Sequence, residues 1–95
     1  MRNYELIYVV KPDLDEEALN QLQEKITSII TQQGGQTTEV NEWGKRRLAY
    51  EINDYREGVY VEVSFVGNNA VVQELDRVIK ITDSVIRHLI VRPQE

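Results

Sequence analysis

The sequence predicts one α+β domain in which two helices cover one face of a four-stranded antiparallel sheet. Four segments of the 95 residues are rich in β-branched and aromatic residues, and two other segments repeat apolar residues at helical spacing. Along the chain these segments follow one another as strand, helix, strand, strand, helix and strand. We expect residues 1–95 to form a single domain, because the chain is near the lower end of the usual ~50 to 250 residue range.

The first strand and the first helix are predicted near the start of the chain. Residues 3–10 carry apolar side chains on both parities, which indicates a strand buried on both faces, and Pro12 ends it. Asp13 followed by Glu16 predicts a helix N-cap with a capping box. The helix is predicted to end at the glycine pair 34–35, which supplies a left-handed stop. Its apolar residues at 3.6-residue spacing are Leu19, Leu22, Ile26, Ile29 and Ile30.

Two strands joined by a turn are predicted in the middle of the chain. A period-two pattern predicts the second strand over residues 36–52, and Gly44 interrupts it as a bulge or bend. Residues 53–58 are predicted to form a polar turn. Residues 59–66 alternate again, so the third strand is predicted there, in a hairpin with the second.

The second helix and the fourth strand complete the order. Asn68 or Asn69 can cap a helix whose apolar residues recur at helical spacing. Residues 85–91 return to β-branched residues and leucine, and Pro93 ends this last strand. The apolar residues of the second helix are Val71, Val72, Leu75, Val78 and Ile79.

The βαββαβ order is that of ferredoxin-like folds. Right-handed crossovers then place strands one and three in the centre of the sheet and strands two and four at its edges, with all neighbours antiparallel. Both helices lie over the same sheet face. Apolar residues on both parities of strands one, three and four indicate that the other face is covered by a partner.

Composition excludes several classes of function. With no cysteine the chain cannot form a disulfide, a thiolate nucleophile or a sulfur-ligated metal site, and it has neither a phosphate loop nor a G-x-G-x-x-G motif. A Ser-His-Asp site is not supported, because no serine that could accompany His88, the single histidine, has the spacing of a nucleophile elbow around it. These observations exclude several classes of enzyme, and we expect no cofactor, no bound metal and no small-molecule substrate.

The apolar runs are short. Residues 6–10 fall below the ~7 to 15 residue core of a secretory signal. No stretch approaches the ~20 apolar residues of a membrane span. We expect a cytoplasmic protein that binds no membrane.

The charge is negative overall but uneven. The net charge of −5, from 11 Lys and Arg against 16 Asp and Glu, by itself disfavours a nucleic-acid partner. Lys45, Arg46 and Arg47, however, are consecutive. Guanidinium groups bind phosphate and stack on bases, whereas exposed edge strands are commonly protected by charge. The residues alone leave both interpretations of the basic run open.

Other residues extend this candidate surface. Trp43 precedes the basic run, and Arg2 and Tyr4 lie at the other end of the possible surface. Arg87 and Arg92 in the fourth strand either enlarge the cationic surface or face water. Large aromatic residues are more often part of a core or its rim than ligand stackers. The residues alone therefore leave open whether Trp43 and Tyr4 belong to the rim of the core or to a binding surface.

An RNA recognition motif has the same order of elements, but its signature is absent. Its third strand carries stacking aromatics in a fixed pattern. Across residues 56–63 this chain has valine where the first and last aromatics should stand, and only Tyr60 is left. Readout of a single RNA strand through bases stacked on such aromatics is therefore disfavoured.

Several blocks of the sequence together carry a family resemblance. They are MRNYE at residues 1–5, WGKRRLAYEI at 43–52, Gly58 with Tyr60, and ITDSVIR at 81–87. On these blocks the chain resembles the bacterial small-subunit ribosomal protein six family over essentially its full length. The block at 43–52 is the most specific.

The resemblance implies a structural, non-catalytic component of the small ribosomal subunit. It implies binding to the central domain of the small-subunit ribosomal RNA together with the basic ribosomal protein eighteen. An acidic body with one basic strip suits phosphate and shape contacts to RNA, and its open face suits a cationic protein. Carried over by position, the RNA-binding residues are Arg2, Tyr4, Trp43, Lys45, Arg46, Arg47, Arg87 and Arg92.

Two other functions suit the same shape. A small-molecule effector domain or homo-oligomeric scaffold of ferredoxin-like form would pair through its sheets without RNA. Acylphosphatase-like activity would need a glycine-rich anion loop with an arginine after the first strand, and residues 11–14 provide neither.

Overall fold

The fold was analysed in a computed structural model that describes residues 1–52 and 54–93. The sheet has the order β2-β3-β1-β4 with every neighbouring pair antiparallel, which confirms the predicted ferredoxin-like architecture. The elements are β1 (Arg2–Val10), α1 (Glu16–Gln32), β2 (Gln36–Ile52), β3 (Tyr55–Gly67), α2 (Asn69–Lys80) and β4 (Val85–Val91).

The N-cap of helix α1 lies two residues later than predicted. The Asp15 carboxylate accepts a hydrogen bond from the Ala18 N–H at 2.8 Å, so Asp15 is the N-cap. The predicted cap at Asp13 is wrong because this residue lies in a turn, which the Leu14 N–H closes onto the Lys11 carbonyl at 3.3 Å. The predicted glycine stop is confirmed by Gly34, whose φ of +88° is left-handed.

The hairpin between β2 and β3 is longer than predicted. Arg46 is opposite Gly58 and Arg47 is opposite Glu57, and after a register shift Ile52 is opposite Tyr55. The predicted polar turn at 53–58 is therefore wrong for residues 55–58, which belong to β3. Asn53 lies outside the described residues. Residues 55–58 are the missed part of the strand, because their sequence YREG carries no apolar alternation by which a pattern would reveal it.

The hydrophobic core lies between the helices and one face of the sheet. Successive side chains of a strand point to opposite faces, so Leu6, Tyr8 and Val10 of β1 are fully buried against the helices. Val63 and Val61, which pair with Leu6 and Tyr8, are also buried, and Val59 is partly buried beside Val10. The rest of the core comprises Val61, Val63 and Phe65 of β3, Leu19, Leu22, Ile26, Ile29 and Ile30 of α1, and Val71, Leu75, Val78 and Ile79 of α2.

The other sheet face, called here the open face, carries the odd-numbered residues of β1 and β4. Ile7 pairs with Leu89, and Leu89 is 53% exposed. Val9 is an exception, being buried to 4% exposure. It lies against Gly58, where a Cβ atom would overlap the Val9 Cγ1 and come within 3.2 Å of the Val10 carbonyl oxygen.

An ion-pair cluster joins β4 to α2. The Asp76 carboxylate lies 2.7 Å from His88 Nε2 and 2.8 Å from Lys80 Nζ. Hydrogen bonds from Lys80 and then from His88 hold the pKa of the Asp76 carboxyl below its ordinary value. The resulting stabilisation is present above the unfolded-state pKa of ~3.9 and is lost as the pH falls through the lower folded-state pKa.

Substituting Gly58→Ala should lower the free energy of unfolding by roughly 1–3 kcal/mol, because the added methyl group overpacks the site beside Val9. Urea denaturation monitored by circular dichroism measures the loss. Ser64→Ala, a half-buried position on the same face of the same strand, is the control and should change the value by no more than ~0.5 kcal/mol. Equal stability of the two variants would contradict the packing described for Gly58.

Candidate nucleic-acid interface

The basic run lies on a two-stranded part of the sheet. Lys45 is opposite Val59, and Val59 is opposite Val10, the residue at which β1 ends. The residues of β3 before Val59 do not pair with β1. From Arg46 onward the β2–β3 ribbon therefore continues without a third strand beside it. The side chains of Lys45, Arg46 and Arg47 are all exposed.

The three consecutive cations do not face the same way. Because side chains alternate along a strand, Arg46 shares the open face with Tyr60, while Lys45 and Arg47 point to the opposite side. Arg47 is directly opposite Glu57, whereas Arg46 is opposite Gly58. Arg46 thus has no charged side chain across the ladder from it, and it is the cation of the run best placed on the open face.

A bulge next to the run reorients Trp43. The β2–β3 register shifts between Glu42 and Gly44, and Gly44 has a φ of +81°. This arrangement confirms the predicted interruption at Gly44 and makes Trp43 the extra residue of the bulge. Its indole stacks on the Tyr60 ring with centroids 6.0 Å apart and planes within 1° of parallel. Trp43 is still 42% exposed.

Tyr60 is absent from the residues predicted for the interface. An RNA recognition motif carries its stacking aromatics along one strand, whereas the aromatic partner of Tyr60 comes from the neighbouring strand. The break of the period-two pattern at Gly44 was the available signal, because a bulge can turn an adjacent side chain onto the face of its cross-strand neighbour.

Arg87 of β4 is brought to the same end of the sheet. It is opposite Val9, which in turn is opposite Tyr60, so Arg87 and Tyr60 lie in one row across the open face. Arg87 Nη1 donates a hydrogen bond to Tyr50 Oη at 3.2 Å. Leu48, on the ribbon between Arg46 and Tyr50, is buried. The far part of the ribbon therefore turns back towards β4.

The remaining candidates meet at the opposite end of the sheet. Arg2, Tyr4 and Arg92 line one cleft of about 540 Å³ with Gly67 and the start of α2. The Tyr4 ring is half-buried and stacks on Phe65 with centroids 5.4 Å apart. Tyr4 is thus already packed at the edge of the core, while Arg2 and Arg92 are exposed.

The eight predicted residues therefore form two groups rather than one strip. β1 has nine residues and spans roughly 30 Å at ~3.4 Å per residue, which sets the separation between its two ends. We call the first set the ribbon group and the second the terminal group. The ribbon group is Trp43, Lys45, Arg46, Arg47 and Arg87, and the terminal group is Arg2, Tyr4 and Arg92.

The cations of both groups are not neutralised within residues 1–52 and 54–93. The Lys and Arg ion pairs formed there join Arg56 to Glu51, Arg77 to Glu74 and Lys80 to Asp76, none of which involves the two groups. Exposed cations that are not committed to internal carboxylates are available to bind an external polyanion.

Residues 1–52 and 54–93 hold no cluster of three or more Asp, Glu, His or Cys side chains able to bind a metal ion. Among the described residues, neither helix has the length and apolar character needed to cross a membrane.

Comparison with known proteins identifies the family. The family model for ribosomal protein S6 matches residues 3–92. The chain belongs to the ribosomal protein S6 family. A "Small ribosomal subunit protein bS6" from Moorella thermoacetica is 58% identical over 95 residues, which is all of this chain and 97% of the relative. Another of that name, from Desulforudis audaxviator, is 56% identical over 97% of this chain and 98% of the relative.

A solved structure supports the same assignment. The crystal structure of the 30S ribosomal protein S6 from Thermotoga maritima superimposes with a TM-score of 0.91 at 31% identity, covering 97% of this chain and 87% of that one. The resemblance to this family and the absence of catalysis expected from the sequence are confirmed, since the S6 family consists of structural ribosomal proteins and not of enzymes.

Substituting Gly44→Ala should lower the free energy of unfolding by roughly 1–2 kcal/mol, because its left-handed φ is costly for a residue with a Cβ. It should also change the fluorescence of the single tryptophan, since the bulge holds Trp43 on Tyr60. Gly34→Ala is the matched control, with a similar φ of +88° and, as at Gly44, open space around the added methyl group. It should lose similar stability and leave the Trp43 emission unchanged; equal emission changes in both variants would contradict the role of the bulge.

Proposed function

We propose that the chain is a structural component of the small ribosomal subunit that binds the central domain of the small-subunit ribosomal RNA together with ribosomal protein eighteen. The observation that carries this proposal is the exposed cationic ribbon of an acidic family member, with Arg46 and Arg87 on the open face and neither committed to an internal ion pair of the described chain. Its place of action is then the ribosome, in the cytoplasm.

The ribbon group suits contacts with the RNA backbone. Arginine side chains bind phosphate oxygens through two parallel hydrogen bonds, and an ordered strand holds them at fixed spacing. Lys45 and Arg47 on one side of the ribbon and Arg46 on the other can contact phosphates on two sides of it. Such contacts fix the position and orientation of the protein without reading base sequence.

The open face away from the ribbon suits the protein partner. Towards the start of β1 it carries Glu5 and Glu62 beside the apolar residues Ile7, Leu89 and Val91. Leu89 and Val91 are 53% and 36% exposed, which is unfavourable unless a partner covers them. Carboxylates within an apolar surface complement a basic protein, so this part of the face is the proposed site for ribosomal protein eighteen.

Arg46→Ala and Arg47→Ala should each weaken binding to the central-domain RNA with its partner protein by roughly 10-fold, the cost of one charge-assisted hydrogen-bonding group. Each should also reduce the slope of log affinity against log salt by about 0.7–0.9, because one phosphate contact is lost. Titrations at several salt concentrations measure both quantities. Arg77→Ala is the control, since Arg77 is exposed on α2 and paired with Glu74. Unchanged affinity and slope in the ribbon variants would refute the assignment of these arginines.

Glu62→Lys should weaken binding of ribosomal protein eighteen in the absence of RNA by at least several-fold, because it places a cation on the surface proposed for a basic partner. Calorimetric titration of the two proteins measures the affinity. Glu24→Lys makes the same charge change at an exposed position of α1 and should leave the affinity unchanged. Equal losses in both variants would show that net charge, and not the open face, controls the association.

A further inference from the structure

The stack of Trp43 on Tyr60 is an exposed aromatic surface within the cationic end of the open face. One face of the indole is covered by the Tyr60 ring, and Trp43 nevertheless retains 42% exposure. We propose that the exposed face of Trp43 stacks on one unpaired nucleobase of the bound RNA, with Tyr60 as the positioning residue beneath it. This inference rests on the proposed function and adds one base contact to its phosphate contacts.

The local backbone holds the indole in this position. Trp43 is the extra residue of a bulge, and the positive φ of Gly44 fixes the bulge. In a regular strand Trp43 would lie on the face opposite to that of Gly44, whereas here it stacks on Tyr60, the residue that Gly44 pairs with. A parallel arrangement with centroids 6.0 Å apart is a favourable offset stack, so the ring is oriented before any ligand arrives.

Two arginines lie near the aromatic pair, and Glu62 lies roughly 7 Å from Tyr60 on the same face. Arg46 is two residues from Gly44 along β2 on the same face, a distance of roughly 7 Å. Arg87 is in the Tyr60 row, two strands away and therefore roughly 10 Å from it. A base stacked on Trp43 would thus have Arg46 nearby along β2, and Arg87 further away across the sheet, for its adjoining phosphates. Aromatic rings within a cationic groove are the common design of surfaces that bind unpaired nucleotides.

The same charges argue against a side chain of the basic partner as the occupant. The carboxylates of the open face, Glu5 and Glu62, lie further towards the start of β1, beside and beyond Ile7. Trp43 is instead in the row of Arg87, with Arg46 beyond it. A cationic protein would be attracted to the first region and repelled from the second, while RNA has the opposite preference.

The test uses the full chain, the central-domain RNA transcript and ribosomal protein eighteen. Because the chain has a single tryptophan, its emission reports on Trp43, and the same titration with Trp43→Phe supplies the background from the other components. Stacking should quench the emission when RNA is added to the protein pair. Trp43→Ala should weaken RNA binding by roughly 5- to 150-fold with an unchanged salt slope, because a stacking contact releases no counterions.

Two further variants separate stacking from structure. Trp43→Phe keeps an aromatic face and should restore most of the affinity lost in Trp43→Ala, which loss of folding would not allow. Ile81→Ala removes another exposed apolar side chain, at the end of α2, and should bind RNA as the unmodified chain does. Urea denaturation of each variant shows whether it is folded under the conditions of the titration.

The outcomes are distinct. Quenching by RNA, with loss in Trp43→Ala and recovery in Trp43→Phe, supports the inference. Quenching by ribosomal protein eighteen alone shows that a protein side chain occupies the site, and unchanged emission with normal RNA binding shows that nothing stacks there; either result overturns the inference and leaves the proposed function intact. Failure of the unmodified chain to bind RNA with its partner would overturn both.

Discussion

The pairing of β1 between β3 and β4 is the constraint on which the rest of the molecule depends. Its register places Leu6, Tyr8 and Val10 against the helices and leaves Glu5, Ile7 and Val9 on the open face. A slip of one residue would exchange the two sets, bury a carboxylate and expose the core. The face on which each candidate residue lies follows from this register, because β2 and β4 take their alignment from the central strands.

The separation of charge explains how a chain with a net charge of −5 can present a surface suited to RNA. Electrostatic interactions between exposed groups are screened over ~8 Å at physiological salt, far less than the roughly 30 Å from one end of β1 to the other. A phosphate near Arg46 therefore responds mainly to the charges close to it on the ribbon. The same screening lets the Glu5–Glu62 region attract a basic protein while the ribbon repels it.

Much of this fold could be predicted from the sequence, and the failures have local physical causes. Alternation and helical spacing located all six elements, since burial imposes those periods. The helix cap was misplaced because Asp13 and Asp15 are both good caps, and the turn at residue 12 decides between them. The split of the basic run between two sides of a ribbon follows from strand alternation, but the Trp43–Tyr60 stack depends on a bulge and a cross-strand register that no single segment encodes.

The position of β4 has a consequence for how the chain is made. The first strand is central and needs the last strand, residues Val85–Val91, as its outer neighbour. During translation at ~5–20 residues per second, the nascent N-terminal half waits for several seconds before that neighbour exists. Closure of the sheet on the β4 side of β1 must therefore wait until residues 85–91 have been made, however early β1, α1 and β3 are available.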